Sequence, residues 1–169
     1  GMAGFAVVCE PLKLTMESIG RLKAAYPQPG GDKSVYVVEN PSVFSYLCGK
    51  KKDISLICSN GQIRLATLLL MDLFSEDVCF YYAGDFDPEG LLIAERLKKR
   101  YGNRVKFWHY DKELYRSNLS DMELSDSRLK ILEQVTDAGL MPIKELLCEH
   151  RRAAYQESFM MVYGEDFES

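Results

Sequence analysis

The sequence predicts an α/β fold: an open, mostly parallel sheet of about four core strands with helices on both faces. Two observations carry this. Four runs of strand length, "SVYVVEN" (34–40), "DISLICSNG" (53–61), "DVCFYYAG" (77–84) and "RVKFWHY" (104–110), alternate with segments of helical spacing. The runs are also nearly continuous in apolar residues, as strands covered on both faces must be. Right-handed crossovers between parallel strands then place helices on either side of the sheet.

Taken in order, "FAVVCEPLKLT" (5–15) reads as one or two short strands with a turn near Pro11. Thr15 is placed to cap a helix over "MESIGRLKAAY", which the proline and glycine of "PQPGGDKS" end. That break divides an N-terminal extension (2–33), packed on the main unit, from an α/β domain (34–169). After the first strand, Pro41 takes the first turn of a helix "PSVFSYLCGK", where a missing N–H costs nothing. "QIRLATLLLMDLF" has an apolar face at i, i+3, i+4 spacing. "PEGLLIAERLKKRYG" is a helix that Gly102 stops. Beyond the fourth strand a polar loop and C-terminal helices follow.

Composition sets bounds. At 169 residues, 47% hydrophobic and 27% charged, the chain fits one ordinary globular domain. No apolar run approaches the roughly 18–20 residues that span a bilayer, and no basic-then-apolar leader opens the sequence. The expectation is therefore no membrane association. Five scattered cysteines with no CxxC pair point to a reducing, cytoplasmic setting and not to zinc. Net charge is −4 with a pI near 5.3, which is not the basic excess of an avid nucleic-acid binder. Lys50–Lys52 and the Lys98–Lys106 cluster each follow a helix, at the end of the sheet away from the expected ligand crevice, and read as solvated surface. Arg151 and Arg152 stay open. His109 reads as strand-end packing and His150 as helix surface. Trp108, Tyr110 and Tyr115 read as core or rim, and "SFMMVY" as core or interface.

Ligand sites in such sheets lie beyond the carboxyl ends of the strands. Three polar endings meet there: Glu39-Asn40, Ser59-Asn60-Gly61 and Gly84-Asp85-Phe86-Asp87. Extended chain at 85–87 points Asp85 and Asp87 the same way, and close carboxylates raise one another's pKa. A hard divalent cation relieves that repulsion, and Mg2+ takes a few carboxylates plus waters. Glu89 is then an outer ligand or a dipole partner in the first helical turn, with Gly84 and Gly90 turning the backbone. An EF-hand would need glutamate where the chain has Arg96. GxxxxGK[ST] and a GxGxxG after the first strand are both missing, and DxDx[TV] would require Thr or Val at Glu89. An acidic helix N-terminus with no ligand remains the plain alternative.

This ordered set resembles the Toprim domain, the catalytic fold shared by topoisomerases, bacterial primases and several nucleases. Its pattern is a glutamate closing the first strand, here Glu39 in "VYVVEN", and a DxD closing the third with a glycine soon after, here "GDFDPEG". The acid-x-acid-x-Glu-Gly form is most similar to the type IA topoisomerase version, in which the third acid, matched by Glu89, also helps hold metal. "PLKLTMESI", "VENPSVF", "ICSNGQ", "GDFDPEGLLIA" and "YQES" resemble the C-terminal domain of bacterial proteins long labelled as of unknown function. That group is similar to the Toprim nuclease subunit of the Wadjet plasmid-defence system and, more distantly, to the A subunit of type VI topoisomerases.

The resemblance implies a Mg2+-dependent phosphodiester-cleaving domain, with Mn2+ as a possible substitute and DNA as the favoured nucleic acid. Glu39, Asp85 and Asp87 would be catalytic, and Asp85, Asp87, Glu89 and Glu39 would hold metal. Asn40, Ser59, Asn60, Gly61 and Arg64 would contact phosphate. No tyrosine sits in a recognisable nucleophile context, so water would attack. Larger relatives carry a DNA-binding region ahead of this part, so a partner protein or an upstream DNA-binding domain is also implied. Two other readings remain: a non-catalytic module of this fold that binds nucleic acid or protein, and a small-molecule phosphohydrolase or phosphotransferase.

Overall fold

The computed structural model describes residues 11–29, 32–51, 53–60 and 65–168. Four strands, β1 (Ser34–Val38), β2 (Leu56–Cys58), β3 (Cys79–Ala83) and β4 (Val105–Phe107), form one sheet in the order β2-β1-β3-β4. Every pairing is parallel, and the α/β architecture is the expected one. In the central β1, Val35 and Val37 point to one face and Val38 to the other, and all three are fully buried. Both faces of the sheet are therefore covered.

The strands are shorter than their apolar runs. The β1 ladder stops at Val38, so Glu39 and Asn40 lie past the strand end rather than in it. β4 stops at Phe107, although the Trp108 amide still donates to the Tyr82 carbonyl at 2.8 Å, and His109 turns the chain with φ +55°.

Helix α1 (Met16–Gly20) is capped by Thr15, whose Oγ1 accepts from the Ser18 amide at 3.1 Å. It covers only the first half of the expected 16–26 helix. Gly20, a poor helix former, closes it, and residues from Ala25 onward leave to bridge Phe74 instead. The expected strands in 5–10 lie outside the described residues, and 11–15 form none. α2 (Pro41–Lys50) and α3 (Leu65–Asp72) follow, with residues 62–64 of the expected third helix also outside the described set.

α4 (Pro88–Tyr101) is built as the sequence directs. Asp87 caps it, Leu91, Ala94 and Leu97 form its buried stripe, Lys98, Lys99 and Arg100 sit at its carboxyl end, and Gly102 ends it with φ +58°. The basic cluster is spent internally. Lys98 and Arg104 donate to backbone carbonyls, Lys99 pairs with Glu95, and Arg100 pairs with Asp72.

Where a loop is expected after Tyr110, helix α5 (Lys112–Ser117) begins at once. Asp111 Oδ1 accepts from the amides of Glu113 and Leu114 at 2.8 and 3.0 Å. α6 (Asp126–Leu129), a 3-10 turn (Lys130–Gln134), α7 (Met141–His150), a further 3-10 turn (Gln156–Phe159) and α8 (Met160–Glu165) follow. Trp108 and Tyr115 are buried as expected, whereas Met161 of the Met-rich run is exposed. His109 Nε2 and Trp108 Nε1 both meet Asp166 Oδ2, at 2.8 and 2.7 Å, which pins the C-terminus to the end of β4.

The segment after α6 is tied to α4 by a buried carboxylate. Glu95 accepts from the Thr136 and Asp137 amides at 3.0 and 2.8 Å and from the Thr136 hydroxyl at 2.8 Å, and it pairs with Lys99. Burial pushes its pKa up, but the Asp137 amide, Lys99 and Thr136 outweigh this and hold it at about 2, below its ordinary 4.5. A carboxylate with a depressed folded pKa contributes stability above its unfolded pKa and loses it as pH falls through the folded value. Glu95→Gln is predicted to cost on the order of 2–3 kcal/mol at pH 7 by urea unfolding. It should also flatten the loss of stability that the parent protein shows as pH falls from about 4.5 to about 2. An unchanged acid limb would contradict the assignment.

Candidate functional site

β1 and β3 are neighbours at the centre of the sheet, and chain connections leave them in opposite directions: β1 passes to β2 on one side, β3 to β4 on the other. This is a topological switch point, where a crevice opens beyond the carboxyl ends of the strands. The register pairs Val38 with both Cys58 and Ala83, so Glu39, Ser59 and Gly84 follow side by side. Asp85, Asp87 and the start of α4 come immediately after.

Glu39 is buried, and the buried Tyr82 hydroxyl donates to its Oε1. A Cβ on Gly84 would overlap that same oxygen, so residue 84 must lack a side chain for the carboxylate to lie there. Gly90 has a parallel role, since a Cβ there would overlap the backbone carbonyl oxygen of Asp85. Neither glycine has a positive φ. What both glycines permit is a close approach where the chain passes from β3 into α4.

Asp85 Oδ1 accepts from the Gln156 amide at 2.8 Å. The Phe86 amide and carbonyl pair with those of Ala154, which lays the 151–156 segment alongside the acidic turn. Gln156 also reaches β1, because its Oε1 accepts from the Asn40 amide at 3.3 Å. Asp87 Oδ1 caps α4 at the Gly90 amide, 2.7 Å, and its Oδ2 meets Arg128 Nη2 at 2.6 Å. The same Nη2 reaches Glu89 Oε2 at 2.5 Å, with Nε at 3.0 and 3.1 Å from the two Glu89 oxygens.

These contacts divide the four acids. Burial raises Glu39 to about 8; the Tyr82 hydrogen bond opposes this while Asp85 and Asp87 add to it. Burial raises Asp85 to about 6, against the Gln156 amide and with the repulsion of Asp87 and Glu157. Asp87 is raised by burial despite Gly90 and Arg128. Burial also acts on Glu89, but Arg128 wins there and lowers it. Arg128 is thus the one cation paired with any of the four among the described residues.

The other expected contacts separate. Asn40 is a helix cap whose Oδ1 accepts from the Ser42 amide at 2.7 Å and whose Nδ2 donates to Glu157 at 2.7 Å. Ser59 is buried at the end of β2, its amide bonded to the Val38 carbonyl at 2.9 Å, and Asn60 is exposed with φ +55°. Gly61 and Arg64 lie outside the described residues. A cavity of about 1240 Å³ opens on the far side of β2, lined by Leu14, Ile19, Phe44, Leu56 and Leu70 among others, and none of the four carboxylates lines it.

The oxygen-only donor set suits a hard divalent cation, and Glu39 and Asp85 are held there without a cationic partner. As arranged, no three acidic, histidine or cysteine side chains among the described residues come together as a metal ligand group, and Arg128 holds two of the four acids. Tyr82, Arg128 and Gln156 are site residues beyond those the sequence points to. "YQES" was the one signal for any of them.

A family model described as "Protein of unknown function C-terminus (DUF2399)" matches residues 12–167. No curated protein and no solved structure matches the chain.

The two glycines should answer differently to a methyl group. Gly90→Ala meets fixed backbone and is predicted to cost about 2–3 kcal/mol in thermal or urea unfolding. Gly84→Ala meets side-chain ends and no backbone, above all the Glu39 carboxylate, which can swing although the buried Tyr82 ring gives little, and it should cost less. Equal losses would contradict this account.

Proposed function

The chain belongs to the family described as "Protein of unknown function C-terminus (DUF2399)", and for it we propose a Toprim-type, divalent-metal-dependent nuclease function acting on nucleic acid, DNA in the first instance. The observation that carries this reading is the seating of Glu39 and Asp85 at the ends of adjacent parallel strands, with neither carboxylate paired to a cation. The order of the acids, one after β1 and a DxD after β3, supports the same reading, as does the crevice position.

Asp85 and Asp87, with Glu39 and Glu89 beside them, would hold Mg2+ or Mn2+. Bound there, the cation would stabilise negative charge on the phosphodiester oxygens. The chain's own part is positioning. Gln156 orients Asp85, the α4 cap fixes Asp87, and Tyr82 orients Glu39, whose carboxyl is the group placed to hold or pass a proton. The N-terminus of α4 adds its dipole to the same crevice.

The lack of a three-acid ligand group among the described residues, with the acidic pI, favours a second reading, a non-catalytic module that docks nucleic acid or protein. One experiment separates the readings. Purified protein is incubated with single- and double-stranded DNA and RNA and Mg2+ or Mn2+, beside Asp85→Asn with Asp87→Asn; asparagine keeps the helix cap. The nuclease reading predicts metal-dependent cleavage that falls about a hundredfold or more in the variant. No cleavage of any polynucleotide with either ion would sink it. Hydrolysis confined to nucleotide phosphates would make the protein a small-molecule phosphohydrolase.

A further inference from the structure

The guanidinium of Arg128 sits between the carboxylates of Asp87 and Glu89. It bridges both carboxylates through one nitrogen and adds Nε contacts to Glu89. Its side chain is about 30% exposed, so a route to solvent is open. A divalent cation and a guanidinium cannot both sit between the same carboxylate oxygens, because like charges at that spacing repel strongly.

Gln156 and Tyr163 are fully buried and meet side chain to side chain, and the Tyr110 hydroxyl meets the backbone of Gly84. The Gln156 backbone amide binds Asp85 and its side-chain Oε1 accepts from the Asn40 amide, so the residue stands between the ends of β1 and β3. Buried polar atoms in native proteins are nearly always satisfied, by protein, water or ion.

We propose that Arg128 is a built-in counter-ion that a divalent cation must displace from Asp87 and Glu89, so that filling the site releases α6 from the amino end of α4. The inference rests on the metal-dependent reading above and adds to it a competition within the chain. Two contacts tie the Arg128 segment to α4, the Arg128 fork at its start and Glu95 binding Thr136 and Asp137 just past the 3-10 turn, while Asp126 of α6 also pairs with Arg151. Displacing Arg128 frees the first of these contacts and leaves the second. Motion should therefore be confined to residues near 125–129.

The test is calorimetric titration of the protein and of Arg128→Gln with MnCl2, with hydrogen exchange followed on the parent protein. The expected result is about tenfold tighter Mn2+ binding by Arg128→Gln, equivalent to about 1.4 kcal/mol. Mn2+ saturation should also speed exchange at the α6 amides while leaving those near Thr136 protected. Equal or weaker binding by a folded Arg128→Gln overturns the competition and leaves the metal reading standing. If the variant does not fold, unchanged α6 exchange at saturating Mn2+ in the parent protein overturns it. Failure of both proteins to bind Mn2+ removes the metal reading and this inference together.

Discussion

The register of β1 against β3 is the constraint on which the rest of the site depends. Pairing Val38 with Ala83 puts Glu39 next to Gly84, and the turn that follows delivers Asp85 and Asp87 to the same crevice. Because both strands are parallel and buried, a slip of one residue would turn the buried valines of β1 to the opposite face and carry Glu39 with them. The core thus fixes the position of a carboxylate that contributes nothing to it. Gly84 and Gly90 are the local consequence: two close approaches, one to a side-chain oxygen and one to a fixed backbone carbonyl, that a Cβ would overlap.

Acids gathered this tightly cost stability, and the structure offsets the cost unevenly. Glu39 and Asp85 receive hydrogen bonds from neutral donors, Tyr82 and the Gln156 amide, and remain above the usual carboxylate range because burial and mutual repulsion outweigh those bonds. Glu89 receives a guanidinium and falls below it, while Asp87 stays raised although it shares that guanidinium. The C-terminal segment takes part in this balance: Ala154 bridges Phe86, and Gln156 joins the ends of β1 and β3.

The sheet was legible because strands buried on both faces are written as unbroken apolar runs, and the acids because each interrupts such a run without a local reason. Boundaries were less so. The helical periodicity of 16–26 continues past Gly20, but the helix ends there and Ala25 bridges Phe74. The helix after Tyr110 was missed although Asp111 is a regular cap, since a polar stretch hides an N-terminus. Arg128 and Gln156 were out of reach for a different cause. They arrive from 41 and 71 residues away in sequence, through packing that no local pattern encodes. Asn40 shows the converse, a polar strand-end residue that the structure uses to cap a helix and bind Glu157.

The central claim is that these carboxylates form a divalent-cation site. Its most direct measurement is a crystal grown with MnCl2 and examined by anomalous diffraction at the manganese edge. The account predicts an anomalous peak in the crevice within coordination distance of Asp85 and Asp87, with the Arg128 guanidinium moved away from Asp87. A map at saturating Mn2+ with no peak there, and Arg128 still bridging Asp87 and Glu89, would contradict it.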